Sequence, residues 1–258
     1  MKVVILAGGH GTRMAGEGTI GPKPMTEIGG RPILWHIMKI YSHYGIDEFV
    51  ICLGYGGQRI KEYFAGYALR SADVTFDLRQ DPVGVRVHRS EVEPWQVTLV
   101  ETGNSAMTGG RLRGVAPYLC GETFCFTYGD CVADVDVAAL VRFHREEGVL
   151  ATLTAVQPPG RFGALLLGPE QTRIHTFREK PKGDGGWING GFFVLEPGVL
   201  DYIEDESAVW EREPLERLAG DGLLAAYRHR GYWQNMDTLR DRAVLDEAWR
   251  TGAPWKVW

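Results

Sequence analysis

The stretch Leu6–Met25, LAGGHGTRMAGEGTIGPKPM, follows directly on the apolar run Val3-Val4-Ile5. A short apolar run bounded by glycines reads as a buried strand, here Lys2–Leu6. Gly8, Gly9 and Gly11 then let backbone N–H groups close on a phosphate chain with no Cβ in the way. Arg13 and Lys23 carry charge that suits the same oxygens. The chemistry implied is the handling of a nucleoside triphosphate.

Two familiar phosphate loops do not fit. A dinucleotide fingerprint needs a third glycine three positions after the second, and Met14 stands there. That also argues against a nicotinamide dehydrogenase. A P-loop needs Gly-Lys-Ser/Thr, whereas Lys23 lies between Pro22 and Pro24.

Outward from this loop, strand and helix signals alternate, the pattern of a parallel sheet wrapped by helices. The spacing predicts a helix over Pro32–Tyr44, opened by proline and striped by Ile33, Leu34, Ile37, Met38 and Tyr41. A strand at Glu48–Leu53 and a helix at Gln58–Leu69 follow. Residues 73–96 break the rhythm and read as a hairpin insertion, either a surface hairpin or an oligomer contact. Beyond it lie strand Val97–Glu101, helix Gly109–Tyr118, strand Thr123–Tyr128 and helix Val137–Arg145, with Asp136 as N-cap. The second half mixes strands (Ala151–Gln157, Ala164–Leu167, Ile174–Arg178, Gly191–Leu195, Leu223–His229) with helices Trp210–Ala219 and Leu239–Arg250. One catalytic domain is expected over 1–258, with residues 1–135 mainly on the nucleotide side and 136–258 mainly on the sugar side.

Composition narrows the function classes. A net charge of −5 argues against a nucleic-acid surface. A site for anionic substrates must therefore concentrate Lys and Arg locally. Glycine is 34 of 258 residues, about 13% against a usual share of about 7%, and it clusters at loops. No apolar run approaches the roughly 20 residues of a membrane span, and Met1-Lys2 leads straight into a strand, so a cytoplasmic protein is expected. The four cysteines show no Cys-x-x-Cys spacing, and the seven histidines show no zinc spacing.

The glycine loop with Gly11-Thr12-Arg13 and Lys23-Pro24-Met25 resembles the signature of the sugar-1-phosphate nucleotidyltransferases. The likeness continues through Pro32–His36, Glu93-Pro94-Trp95, Thr108–Leu112, Tyr128-Gly129-Asp130, Pro158–Ala164, Glu179–Gly183, Ile188–Phe193 and Met236–Asp241. Together these motifs are similar to the cytidylyltransferase branch, which joins CTP to glucose 1-phosphate. The resemblance implies a Rossmann-like three-layer α/β/α fold around a mixed, mostly parallel sheet. It also implies Mg²⁺ as cofactor and a homo-oligomer.

The roles follow from the same likeness. Leu6, Ala7, Gly8, Gly9, Gly11, Thr12, Arg13, Lys23, Thr102, Gly103, Arg111 and Gly129 match nucleotide-side contacts. Arg13 and Lys23 are the expected catalytic cations. Glu179, Lys180, Asn189 and Gly190 match the sugar-phosphate site. Asp130 and Asp237 match the metal carboxylates. By spacing alone Asp130 could equally be a turn aspartate and Asp237 a helix cap, a task Thr238 could take instead. Related chains often read Lys-Pro-Lys-Pro-Met where this one has Gly21-Pro22-Lys23-Pro24-Met25. Cytosine presents an N4 donor, so its recognition needs acceptors, expected among backbone carbonyls near Leu6–Gly9 or Gly103. A uridylyl- or thymidylyltransferase, and a catalytically silent nucleotide-sugar sensor, stand as alternatives.

Overall fold

Alternation within the first strand sets the layers. Val3 and Ile5 face one side and Val4 and Leu6 the other, all of them buried. A strand apolar on both faces has to sit inside a sheet covered twice. The computed structural model describes residues 1–9, 21–90, 92–158, 160, 164–166, 176–178 and 186–258.

The chain runs through β1 (Val3–Leu6), the short β2 (Glu27–Ile28) and β3 (Arg31–Pro32), and α1 (Ile33–His43). Next come β4 (Glu48–Leu53), α2 (Gly57–Ala65), α3 (Tyr67–Arg70), the hairpin β5 (Ala72–Asp77) and β6 (Gly84–Ser90), and β7 (Gln96–Glu101). Then follow α4 (Thr108–Gly114), β8 (Phe124–Tyr128), β9 (Cys131–Ala133), α5 (Val137–Glu147), β10 (Ala151–Val156), β11 (Ala164–Leu166) and β12 (Thr176–Arg178). The described chain ends with β13 (Ile188–Leu195), α6 (Glu213–Gly220), β14 (Leu224–Arg228), β15 (Trp233–Asn235) and α7 (Leu239–Thr251).

Seven strands form the central sheet in the order β14-β10-β13-β8-β1-β4-β7. Only β13 runs against the others, pairing antiparallel with β8 and β10. One apolar layer packs Val3, Ile5, Ile51 and Phe192 under α1, α5 and α7. The opposite layer packs Val4, Leu6, Phe126 and Phe193 with Leu112 of α4, Trp210, and Leu215 and Leu218 of α6. The result is a three-layer α/β/α fold on a mixed, mostly parallel sheet.

Two predicted helices are cut short or broken, and the one expected over Trp210–Ala219 begins only at Glu213. The one expected over Gly109–Tyr118 stops at Gly114, and a 3₁₀ turn takes Ala116–Tyr118. Pro117 cannot donate within a helix and its ring would clash with the preceding turn. The one expected over Gln58–Leu69 breaks at Gly66. The two-stranded ladder β9–β15 has no counterpart in the sequence pattern.

Because the chain steps from β1 to β4 on one side and later to β8 on the other, β1 and β8 border the switch point of the strand order. Ligands in open α/β sheets bind beyond the carboxyl ends of strands at such a point.

Candidate active site

A cavity of about 790 Å³ opens at that switch point. Leu6–Gly9 leave β1 into it, Tyr128-Gly129-Asp130 leave β8, and Lys23 and Pro24 enter from the turn before β2. The second wall is the segment Asn104–Thr108 with Arg111, and Glu211 and Asp237 close it.

Asp130 and Asp237, 107 positions apart in sequence, meet through local pairing. β15 lies antiparallel on β9 with Asn235 opposite Cys131, and the Met236 N–H donates to the Asp130 carbonyl at 2.8 Å. Both carboxylates then face the Lys23 ammonium, at 2.5 Å from Asp237 Oδ1 and 3.4 Å from Asp130 Oδ2. Asn235 Nδ2 donates to the other Asp237 oxygen at 2.7 Å. Helix capping falls to Thr238, which forms a capping box with Asp241. Asp136 likewise caps α5 by accepting from Ala139 N–H.

Burial pushes the Asp130 carboxyl above the usual range and the nearby Asp237 charge adds to that, while Lys23 opposes both. Two recessed carboxylates of one sign need a shared cation. The described lining holds three carboxylates (Asp130, Asp237, Glu211) against two cations (Lys23, Arg111). Such a wall repels a triphosphate unless further positive charge arrives. Two hard oxygen donors suit Mg²⁺, which takes one or two carboxylates and draws its remaining ligands from phosphates and water. Among the described residues no group of three or more His, Cys, Asp or Glu converges.

Arg111 is buried and its donors go to the protein. Nη1 donates to Leu53 O at 2.9 Å, Thr102 Oγ1 at 2.9 Å and Gly103 O at 2.8 Å; Nη2 donates to Gly8 O at 3.0 Å. It therefore ties together the loops that leave β1, β4 and β7. Gly8 O also accepts from Tyr55 N–H at 3.3 Å, so both its lone pairs are committed, whereas Gly103 O takes one donor from Arg111. Of the carbonyls expected to read a base amino group, Gly8 is thereby the poorest placed.

Asn189 and Gly190 open β13 beside Tyr128. Asn189 Nδ2 donates to Tyr128 Oη at 3.2 Å, and Gly190 O accepts from Trp233 Nε1 at 2.7 Å. Gly21 has φ +147, and a Cβ there would lie 2.5 Å from Arg59 Nη1. The position where related chains often carry lysine is thus overlaid by a guanidinium from α2. Gly11, Thr12, Arg13, Glu179 and Lys180 lie outside the described residues.

Sequence reasoning passed over Glu211 and Asn235. No local pattern marks Glu211, which lies between a buried tryptophan and a short helix. Asn235 directly precedes the Met236–Asp241 motif, but only the β9–β15 pairing shows what it holds.

A family model described as nucleotidyl transferase matches residues 2–241. The glucose-1-phosphate cytidylyltransferase of Salmonella typhimurium is 58% identical over 260 residues, covering all of both chains. A probable glucose-1-phosphate cytidylyltransferase of Bacillus subtilis is 44% identical, again over the full length of both. Among solved structures, HddC from Yersinia pseudotuberculosis superposes with a TM-score of 0.70 at 20% identity, covering 96% of this chain and 99% of its own. That last likeness speaks to the fold alone.

Proposed function

The chain belongs to the nucleotidyl transferase family, and from that premise we propose that it transfers the cytidylyl group of CTP to α-D-glucose 1-phosphate, giving CDP-glucose and pyrophosphate. The observation that carries this reading within the molecule is the Lys23 ammonium held between Asp130 and Asp237 at the strand switch point.

A phosphate oxygen of glucose 1-phosphate attacks the α-phosphorus of CTP in line, and pyrophosphate leaves. The nucleophile is already anionic, since the second pKa of a phosphate monoester is about 6. A general base is dispensable, and catalysis reduces to positioning and charge stabilisation. Asp130 and Asp237 would hold Mg²⁺, which when bound offsets the charge of two anionic reactants. Lys23, which lies between the two carboxylates, would supply the cation that stabilises charge developing at the α-phosphate. Leu6–Gly9, Thr102, Gly103 and Gly129 form the nucleotide side. Asn189 and Gly190 form the described part of the sugar side, with Glu179 and Lys180 assigned there by family likeness. Arg13 is assigned to the triphosphate on the same ground.

Partners are CTP and glucose 1-phosphate, and a homo-oligomer belongs to the same reading. Among the described residues no helix is long and apolar enough to cross a membrane. The cytoplasm, where nucleoside triphosphates are available, is the compartment this reading implies.

The test is pyrophosphate release with Mg²⁺ and glucose 1-phosphate, comparing CTP, UTP, dTTP, ATP and GTP. Preference for CTP is expected. Preference for UTP or dTTP overturns the cytidylyl assignment and leaves the fold and site intact. No release with any nucleotide favours a silent sensor.

A further inference from the structure

Glu211 lines the cavity and has no part in the chemistry above, yet its carboxylate joins the two walls. One oxygen accepts from Tyr128 Oη at 2.6 Å and the other from Thr108 Oγ1 at 2.6 Å. Its backbone is fixed by the residue before it: Trp210 is fully buried against Phe126 and Phe193, and its N–H donates to Thr108 Oγ1 at 2.9 Å. Tyr128 passes the constraint onward. Having donated to Glu211, its hydroxyl accepts from Asn189 Nδ2 at 3.2 Å. Asn189 Oδ1 accepts from Gly191 N–H at 2.9 Å, which decides which end of the amide is which. Gly191 makes room for this, because at φ +79 a Cβ would fall 2.5 Å from Tyr128 Cδ2. An amide nitrogen has two donor hydrogens, and only one is used on Tyr128.

We propose that Glu211 is a positioning residue. Through Tyr128 it orients the Asn189 amide so that the second N–H is held for the sugar phosphate, and through Thr108 it couples that orientation to the nucleotide wall. This rests on the assignment of Asn189 to the sugar-phosphate side. A neutral amide at 211 cannot accept from both hydroxyls, so one of them must turn. If Tyr128 turns, its hydroxyl competes with the Asn189 donor.

Steady-state kinetics of Glu211→Gln, Tyr128→Phe and the double variant test the chain of bonds. Each single variant is expected to raise KM for glucose 1-phosphate roughly five- to twentyfold, about 1–2 kcal/mol converted at 1.4 kcal/mol per tenfold. KM for CTP should move less than twofold. The double variant should be no worse than the poorer single one, because both cut one path. Unchanged KM for the sugar phosphate, an equal shift in KM for CTP, or multiplying effects overturns the proposal. A substrate-free measurement keeps it separate from the assigned reaction. In protein labelled with ¹⁵N-asparagine, the Asn189 side-chain signal, identified by its loss in Asn189→Asp, should shift in Glu211→Gln. A signal that does not move sinks the positioning role, whichever sugar phosphate is turned over. A shifted signal with no turnover of glucose 1-phosphate upholds the role and faults only the substrate.

Discussion

Arg111→Met keeps the aliphatic stem and removes every donor from a side chain that joins three loops. Gly103 O loses its donor among the described residues, but the residue is exposed and water can take the donor's place, so this bond is worth about 1 kcal/mol. Leu53 O retains the Thr102 N–H and hydroxyl, and Gly8 O retains the Tyr55 N–H, so each loses only one charge-assisted bond. Allowing about 1 kcal/mol for each of the three carbonyls, and crediting relief from burying a guanidinium, the net loss is about 2 kcal/mol. Arg111 is buried, and that burial lowers its pKa below the ordinary arginine value. Urea denaturation should show the loss directly, and Tm should fall by about 4–8 °C for a chain of this size. KM for CTP should rise with it, because the loops after β1 and β7 lose their common tie. A variant within 1 kcal/mol of wild type that nonetheless binds CTP poorly would refute the argument. Arg111 would then be a direct nucleotide contact.

Asp237→Ala should lower kcat by at least about 10²–10³-fold, the range for losing one preorganised electrostatic group, while circular dichroism stays native; retained activity sinks its assignment to the metal. Removing divalent cations with a chelator should stop pyrophosphate release, and added Mg²⁺ should restore it; activity that survives chelation argues against a metal step. His36 supplies the pH dependence. Its Nε2–H donates to Ile28 O at 2.9 Å and its Nδ1 accepts from Trp255 at 3.4 Å, an arrangement only neutral imidazole satisfies. Burial lowers its pKa to about 4, below the unfolded value of 6.5. The contribution is therefore full above pH 6.5 and is lost as pH falls toward 4, amounting to about 3 kcal/mol at most. Wild type should lose Tm between pH 7 and 5 more steeply than His36→Phe, and equal slopes would contradict this. Gly21→Ala should cost about 1–3 kcal/mol, from a positive φ together with displacement of Arg59; an unchanged urea midpoint would show that neither matters.

The first strand, the glycine run and the alternation of strands with helices made the sheet and its layers readable from sequence, because each depends on local periodicity. Lys23, Asp130 and Asp237 were found by motif. The resemblance implied that the two aspartates meet, but no local pattern did, since their meeting depends on β9 pairing with β15 across about a hundred residues and three-residue strands leave no periodic trace. Arg111 shows a different limit. Its motif was legible, but whether the guanidinium faces ligand or backbone is decided by carbonyls from Gly8, Leu53 and Gly103, which no spacing rule brings together. Glu211 had no signal at all.

Lys23 and Asp237 stand 214 positions apart and touch. The second carboxylate reaches the ammonium only after β15 has docked on β9, near the end of the described chain. A contact of such sequence separation forms late, because loop closure must be paid before it is rewarded. A chain stalled or cut before Asp237 retains Lys23 and Asp130 but has only half of the acidic pair. On the proposed reading, competence waits for β15 and Asp237 to dock, so a product cut before Asp237 would consume no nucleotide.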